Sequence, residues 1–151
     1  MTTSKAKQQD KLTTIANIKL CHDSLNEFHE LLSDIILEEA GKGVADLDEN
    51  VQTGIIIYEI QASFAAADKF NIPSDLQPDF VKARLMAFGA PEQMAIGMIE
   101  AYIKADSSLQ QMTNGKEAYE ALIDAEAFSK HVKNTLTKLQ NSMKIARDLG
   151  L

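Results

Sequence analysis

An all-helical single domain is the fold class that this sequence of 151 residues predicts, and three observations support it. No glycine or proline precedes Gly41, and none lies between Lys116 and Leu149, so two long stretches lack the residues that most often interrupt helices. Within both stretches the apolar residues are spaced alternately three and four apart, as in a helical heptad and unlike a strand. Tryptophan is absent, and alanine, leucine, isoleucine and methionine supply most of the apolar content, which favours helices. We expect about five helices in an elongated bundle, with long amphipathic helices at both ends of the chain.

The first long helix is predicted to begin near Asp10, a suitable N-cap, and to end at Gly41, a usual C-terminal residue. We expect Leu12 and Ile15 to extend its apolar side toward the N-terminus. The apolar seam along this helix consists of Ile18, Cys21, Leu25, Phe28, Leu32 and Ile35.

The second helix is predicted over residues 51–70, with Asp46 or Asp48 as its N-cap. Apolar residues occupy nearly all of its faces, which is typical of a buried helix. A short isoleucine-rich strand at residues 54–60 is the alternative interpretation of this segment.

Three further helices are predicted after it. Two prolines, Pro78 and Pro91, stand where first helical turns begin, and they indicate short helices near residues 79–88 and 92–112. The last long helix is expected to follow the turn at Asn114-Gly115 and to stop near Gly150. Its seam consists of Leu122, Ala125, Ser129, Val132, Leu136, Leu139, Met143 and Ala146.

Composition bounds the class of protein. The length suits one domain, which we place at residues 11–151 after a polar, flexible tail at residues 1–10. The net charge of −7 argues against a broad phosphate-binding surface, so a nucleic-acid partner is not expected. No run reaches the ~20 apolar residues of a membrane span, and the first ten residues lack the apolar core of a signal peptide. We expect a cytoplasmic protein without a membrane partner.

The charge is unevenly distributed. Residues 23–49 contain nine acids against Lys42 alone, whereas residues 128–151 contain five bases against Asp148. This polarity gives the two ends a reason to pair, within one chain or between chains.

Metal and calcium signatures are weak. His22 and His29 lie seven residues apart on the first helix, which is not the spacing of a helical zinc motif, and they are only weak candidates for metal ligands. The acidic run at residues 46–50 begins like a calcium loop, but Val51 stands where the turn needs glycine and Ile57 where a glutamate is needed. We expect a helix cap there, and no cofactor.

No catalytic signature is visible in the sequence. Cys21, the only cysteine, lies on the apolar seam in an acidic neighbourhood, where we expect a buried packing residue rather than a nucleophile. No phosphate loop or serine elbow occurs. The sequence therefore favours a protein that is not an enzyme.

A methionine cluster in the central short helices gives the main alternative function, and it consists of Met86, Met94, Met98 and Met112 together with Phe80 and Phe88. Methionine lines adaptable pockets, although it also fills irregular cores. A small-molecule-binding helical regulator would use a pocket between the second and fourth helices, formed by Phe64, Met86, Met94 and Met98.

The segment Asp79-Phe80-Val81, with the run Gly89-Ala90-Pro91-Glu92-Gln93-Met94-Ala95-Ile96-Gly97, resembles the killing-trait family. Those proteins build bacterial R-bodies, which are coiled protein ribbons. The family pattern has Ala-Pro followed by a Met-Ala-Met-Gly-like run, and the match here needs an inserted residue and covers less than about a fifth of the chain. The resemblance implies an assembly protein related to R-bodies and transfers no functional residue.

The two long seams, the polarised charge and the lack of site chemistry together favour a non-enzymatic interaction or assembly module. We expect a homodimer or a helical protein partner. The predicted interface is the seam of the last helix, at Val132, Leu136, Leu139 and Met143. A helical metal-binding protein is a lesser alternative.

Overall fold

The computed structural model describes residues 2–104 and 110–151, with side chains from residue 7 onward. In this part of the chain there are six α-helices, two short 3-10 turns and no β-strand, so the all-helical fold class is confirmed with one helix more than expected. The helices are α1 (Thr2–Ala40), α2 (Glu49–Lys69), α3 (Gln77–Ala87), α4 (Glu92–Lys104), α5 (Gly115–Glu120) and α6 (Ala125–Asp148).

The long helices α1, α2 and α6 pack side by side around the main hydrophobic core. The contacts between α1 and α6 follow the same order along both helices. Near the start of α6, Phe128 packs edge-on against Phe28 of α1, with ring centroids 5.4 Å apart. Farther along both helices, Lys133 Nζ lies 3.3 Å from Glu39 Oε1. The helices α1 and α6 therefore run in the same direction.

The buried helix α2 runs antiparallel to both. Asp48, at its start, pairs with Arg147 near the end of α6 at 2.9 Å, whereas Tyr58, farther along α2, meets His131 near the start of α6. The acidic first part of the chain and its basic last part are thus joined within one chain by exposed ion pairs. Such pairs contribute little stability because water screens them.

Helix α1 begins at Thr2, earlier than the predicted start near Asp10, and ends at Ala40 before Gly41, which has a positive φ of 71°. Most of the predicted seam is buried, but at its end Ile36 is 1% exposed and Ile35 is only partly buried. A straight helix has 3.6 residues per turn rather than 3.5, so a strict heptad drifts around it by roughly 20° per repeat. That drift brings Ile36 to the core instead of Ile35.

The expectation that Leu12 and Ile15 continue the buried side is wrong. Leu12 is 62% exposed and Ile15 is 52% exposed, whereas Cys21 is fully buried. At about 100° per residue, Leu12 points roughly 180° away from Cys21, so the two lie on opposite sides of the helix. The apolar stripe of the N-terminal half of α1 therefore faces away from the core of its own chain.

Helix α2 is apolar on most faces and buried, as predicted, and residues 54–60 are helical rather than a strand. Of the two candidate caps, Asp48 is the N-cap, and its side chain accepts a hydrogen bond from the Asn50 amide at 2.9 Å. The acidic run that begins like a calcium loop is thus a helix start, where a carboxylate satisfies a free backbone amide.

The two proline-initiated helices form a second, smaller core against α2. Pro78 stands in the first turn of α3, and α4 begins directly after Pro91. The predicted helix over residues 92–112 is described as far as Lys104, and residues 105–109 lie outside the described residues. The buried residues of this core are Ile60, Val81, Leu85, Ala95 and Ile99.

The last long helix is divided in two, contrary to the prediction of one continuous helix. Asp124 adopts an extended conformation (φ −131°, ψ 106°), and its carboxylate accepts hydrogen bonds from the amides of Glu126 and Ala127. An aspartate that caps a new helix competes with continuation of the preceding one. The short helix α5 and a 3-10 turn (Ala121–Ile123) therefore precede α6.

Gly115 lets α5 lie directly on the backbone of α2. Its amide donates a hydrogen bond to Gln61 Oε1 at 2.9 Å, and a Cβ at this position would lie only 2.0 Å from the Tyr58 carbonyl oxygen. Only glycine fits at this distance, so the contact between the two helices depends on it.

Replacing Gly115 with alanine is expected to lower the free energy of unfolding by roughly 1–3 kcal/mol, because the backbone has to move apart. The matched control is Gly97→Ala in α4, where nothing lies within 4 Å of the added Cβ. We expect that control to leave stability unchanged or to raise it by up to about 1 kcal/mol, since alanine favours helix. Chemical denaturation measures both, and equal stabilities of the two variants would contradict the close approach.

Candidate functional site

An apolar groove of about 610 Å³ opens between the two hydrophobic cores. One wall is the C-terminal half of α1, from His29 to Leu37, and the other is the connection from α3 to α4 with the first turns of α4. Ile55, Ile56 and Glu59 of α2 contribute to the floor, and residues 43–45 close one end. We call this feature the groove.

Three apolar side chains that line the groove are about half exposed. Leu37 is 53% exposed, Phe88 is 41% exposed and Met94 is 48% exposed. These three come from three different segments and all line the same groove. Clustered exposed apolar side chains mark binding surfaces, whereas single ones are common on any protein.

Polar contacts hold the end of the groove where His29 lies. His29 Nδ1 is hydrogen-bonded to Glu59 Oε1, and the Phe88 ring stacks on the imidazole with centroids 3.9 Å apart. The Arg84 guanidinium also lies over the Phe88 ring, 4.7 Å from the ring centroid. The aromatic wall of the groove is therefore fixed between α1 and α3 by charge and stacking together.

Arg84 anchors α3 to α1 below the groove. Its side chain is buried, and Nη1 lies 2.9 Å from His22 Nδ1 and 2.5 Å from Asn26 Oδ1. Burial lowers the pKa of Arg84 from its ordinary value, because desolvation disfavours the charged form, and the field of Glu59 opposes this. The cluster links His22 to the groove wall and holds the wall in position.

Acidic residues border the groove on its α1 side. Asp34 belongs to the lining, and Glu30 and Glu38 are exposed one turn away on either side of it. An apolar floor with an anionic rim suits a ligand that is itself apolar on one side and cationic at its edge.

The structure brings together two of the four residues predicted as a pocket. Met94 and Met98 line the groove, whereas Phe64 stacks on Tyr102 and lines a different cavity of about 820 Å³. Met86 is 39% exposed and belongs to the lining of neither cavity. The residues are separated because Phe64 lies roughly one and a half turns beyond Glu59, the last residue of α2 that lines the groove.

The two weak metal candidates have partners of other kinds. His22 contacts Arg84, and His29 contacts Glu59 and Phe88. Across residues 2–104 and 110–151, no group of three or more histidine, cysteine, aspartate or glutamate side chains has the arrangement of a metal site.

The predicted interface residues lie inside the chain. Val132, Leu136 and Leu139 are buried in the main core between α1 and α2, and Met143 is partly buried against it. Leu139 packs over Gly54 of α2. These side chains are therefore covered by their own chain. Of the residues that line the groove, Leu37 and Asp34 were not predicted from the sequence, whereas Phe88 belongs to the predicted methionine-rich cluster. The available signal was the presence of apolar residues off the seam of the first helix, such as Leu20 and Leu37.

Comparisons with known proteins leave the chain without an assigned family. No family model, no curated protein and no solved structure matches it. The resemblance of residues 79–97 to the killing-trait family thus stays an expectation. None of the helices, over the residues described, is long and apolar enough to cross a membrane.

Cys21 lies in the main core with no exposed surface, and burial raises the pKa of its thiol from 9.0 to about 11, with Arg84 opposing the shift. At pH 8 we expect a maleimide to label the native protein at least ~100-fold more slowly than the denatured protein, since thiolate is the reactive form. Mass spectrometry of timed samples measures both rates. Native labelling as fast as that in denaturant would contradict the buried position.

Proposed function

We propose that this protein is a non-enzymatic interaction or assembly module that self-associates, with the groove as its binding surface. The observation that carries the proposal is the row of half-exposed apolar side chains at Leu37, Phe88 and Met94, which line one groove. Covering them in a complex removes apolar surface from water, which is favourable by roughly 25 cal/mol for each Å² of apolar surface buried.

The shape and chemistry of the groove favour a helical occupant. An amphipathic helix places apolar residues at every third or fourth position into such a groove and keeps its polar side in water. Methionines such as Met94 and Met98 adapt to the side chains of a partner because they are flexible and polarizable. The acidic rim at Asp34 selects a helix with basic flanks.

The groove is also well prepared for binding. Phe88 contacts both His29 and Arg84, so its ring loses little freedom when a partner covers it. Preorganised side chains lower the entropic cost of association. The contacts of His29 and Arg84 with Phe88 therefore favour the use of the groove as a binding surface.

Substituting glutamate for Leu37 and Met94 together is expected to raise the dissociation constant of self-association by roughly tenfold or more for each residue, because a charge replaces a buried apolar contact. Both side chains are about half exposed in the single chain, so the fold is retained. Sedimentation velocity over a concentration series measures the change.

The matched control is Ile123→Glu, which alters an apolar residue that is 92% exposed outside the groove. This variant should associate as the wild type does. A wild-type protein that stays monomeric at high concentration, or a control that dissociates as readily as the groove variant, would overturn the proposal.

A small-molecule-binding regulator is the second candidate, and the volume of the groove favours it. About 610 Å³ lies within the range of roughly 300–1,000 Å³ that is usual for ligand sites. In that case the groove holds an apolar ligand in place of a helix.

Native mass spectrometry, compared with the denatured mass, separates the two candidates. A monomer with additional mass that the Leu37 and Met94 substitutions remove would favour the regulator. A mass of two chains without additional mass is expected for the assembly module.

A further inference from the structure

The N-terminal half of α1 carries an apolar stripe that its own chain does not cover. We call residues 7–20 the arm. Leu12, Ile15 and Leu20 of the arm are 62%, 52% and 54% exposed, respectively. With Ala16, they recur at spacings of three, one and four residues, which places them on one broad face of a helix.

The arm extends beyond the part of α1 that the other long helices cover. In α1 the deeply buried residues begin at Cys21, and every residue of the arm is exposed or only partly buried. Since α1 has 39 residues, at about 1.5 Å per residue it is roughly 58 Å long, about four times the radius of gyration of roughly 15 Å expected for a compact domain of this size. The arm is thus available to another molecule.

Arm and groove have opposite charges. The arm contains Lys7, Lys11 and Lys19 against Asp10 alone, whereas the groove is bordered by Asp34 with Glu30 and Glu38 beside it. Lys19 is paired with Asp23 of its own helix at 2.7 Å. Lys7 and Lys11 therefore carry the charge that the arm offers to a partner.

We propose that the groove of one copy binds the arm of a second copy, and that two copies exchange their arms reciprocally in a closed dimer. This inference rests on the proposed function and names its partner. The apolar face of the arm covers Leu37, Phe88 and Met94, and the lysines of the arm meet the acidic rim. Reciprocal exchange fills both grooves and covers both arms, so the assembly closes at two chains instead of growing into a fibre.

A charge swap tests the partner. The arm variant Lys7→Glu/Lys11→Glu and the rim variant Asp34→Lys/Glu38→Lys should each raise the dissociation constant of the dimer roughly tenfold or more, because like charges then face each other. Mixing the two variants should restore the dimer, since both arm–groove contacts then join opposite charges. A chain with all four substitutions should also dimerise.

The control for net charge is Lys130→Glu/Lys144→Glu, which makes the same charge change on exposed positions of α6 and should leave the dimer unchanged. Circular dichroism confirms that each variant keeps its helices. Sedimentation velocity of each protein, and of the mixture, gives the dissociation constants.

Three outcomes would overturn the inference. In the first, the Leu37 and Met94 substitutions dissociate the dimer but the arm variant has no effect. This result would keep the groove as a binding surface and exclude the arm as its occupant. Weakening by both charge variants without recovery in the mixture would exclude the pairing of arm with rim. A monomeric wild type that binds vesicles of anionic phospholipid through Lys7 and Lys11 would assign the arm to a lipid surface and would overturn the proposed self-association as well.

Discussion

The side chain of Phe28 is the point at which four helices meet. From α1 its ring contacts Tyr58 of α2, Tyr119 of α5 and Phe128 of α6, with centroid distances of 6.0, 6.3 and 5.4 Å. Aromatic rings in tilted and edge-on contact are favourable beyond the area that they bury. The relative positions of α1, α2, α5 and α6 depend on this contact, and α1 and α2 supply one wall and the floor of the groove.

Polar side chains fix the helices around that ring. Tyr119 Oη lies 2.7 Å from Ser24 Oγ of α1, and Tyr58 Oη lies 2.6 Å from His131 Nδ1 of α6. A buried hydroxyl without a partner would cost about 1–3 kcal/mol, so these pairs allow only one arrangement of the aromatic cluster. Apolar packing supplies the attraction in this core, and the hydroxyl pairs supply its specificity.

The sequence predicted the parts of the fold that depend on local pattern. The buried helix α2 and its cap at Asp48 follow from composition and from an N-cap residue. The errors arise where two local signals compete: Asp124 ends one helix and caps another although no glycine or proline marks the break. Leucine is a typical core residue, and only the rotation of about 100° per residue along a straight helix shows that Leu12 faces away from the core.

The candidate site was less accessible to prediction. Met94 and Met98 were identified because methionine clusters are visible in a sequence. Leu37 was missed because it becomes a neighbour of Phe88 only when α1 and α3 pack together through Arg84 and His22. A contact between segments so far apart in the sequence produces no periodic pattern in either segment. The seam of the last helix has the same pattern whether it is covered by its own chain or by another.

The arm and one wall of the groove belong to the same uninterrupted helix, so α1 fixes both the distance and the rotation between these two surfaces. Without glycine or proline before Gly41, no hinge separates the two surfaces. Each residue inserted between them shifts the arm by about 1.5 Å and turns it by roughly 100° about the axis. In the proposed dimer, insertions and deletions in this stretch are therefore constrained by angular phase as well as by length. A change of seven residues nearly preserves that phase, whereas a change of two reverses the direction in which the arm faces.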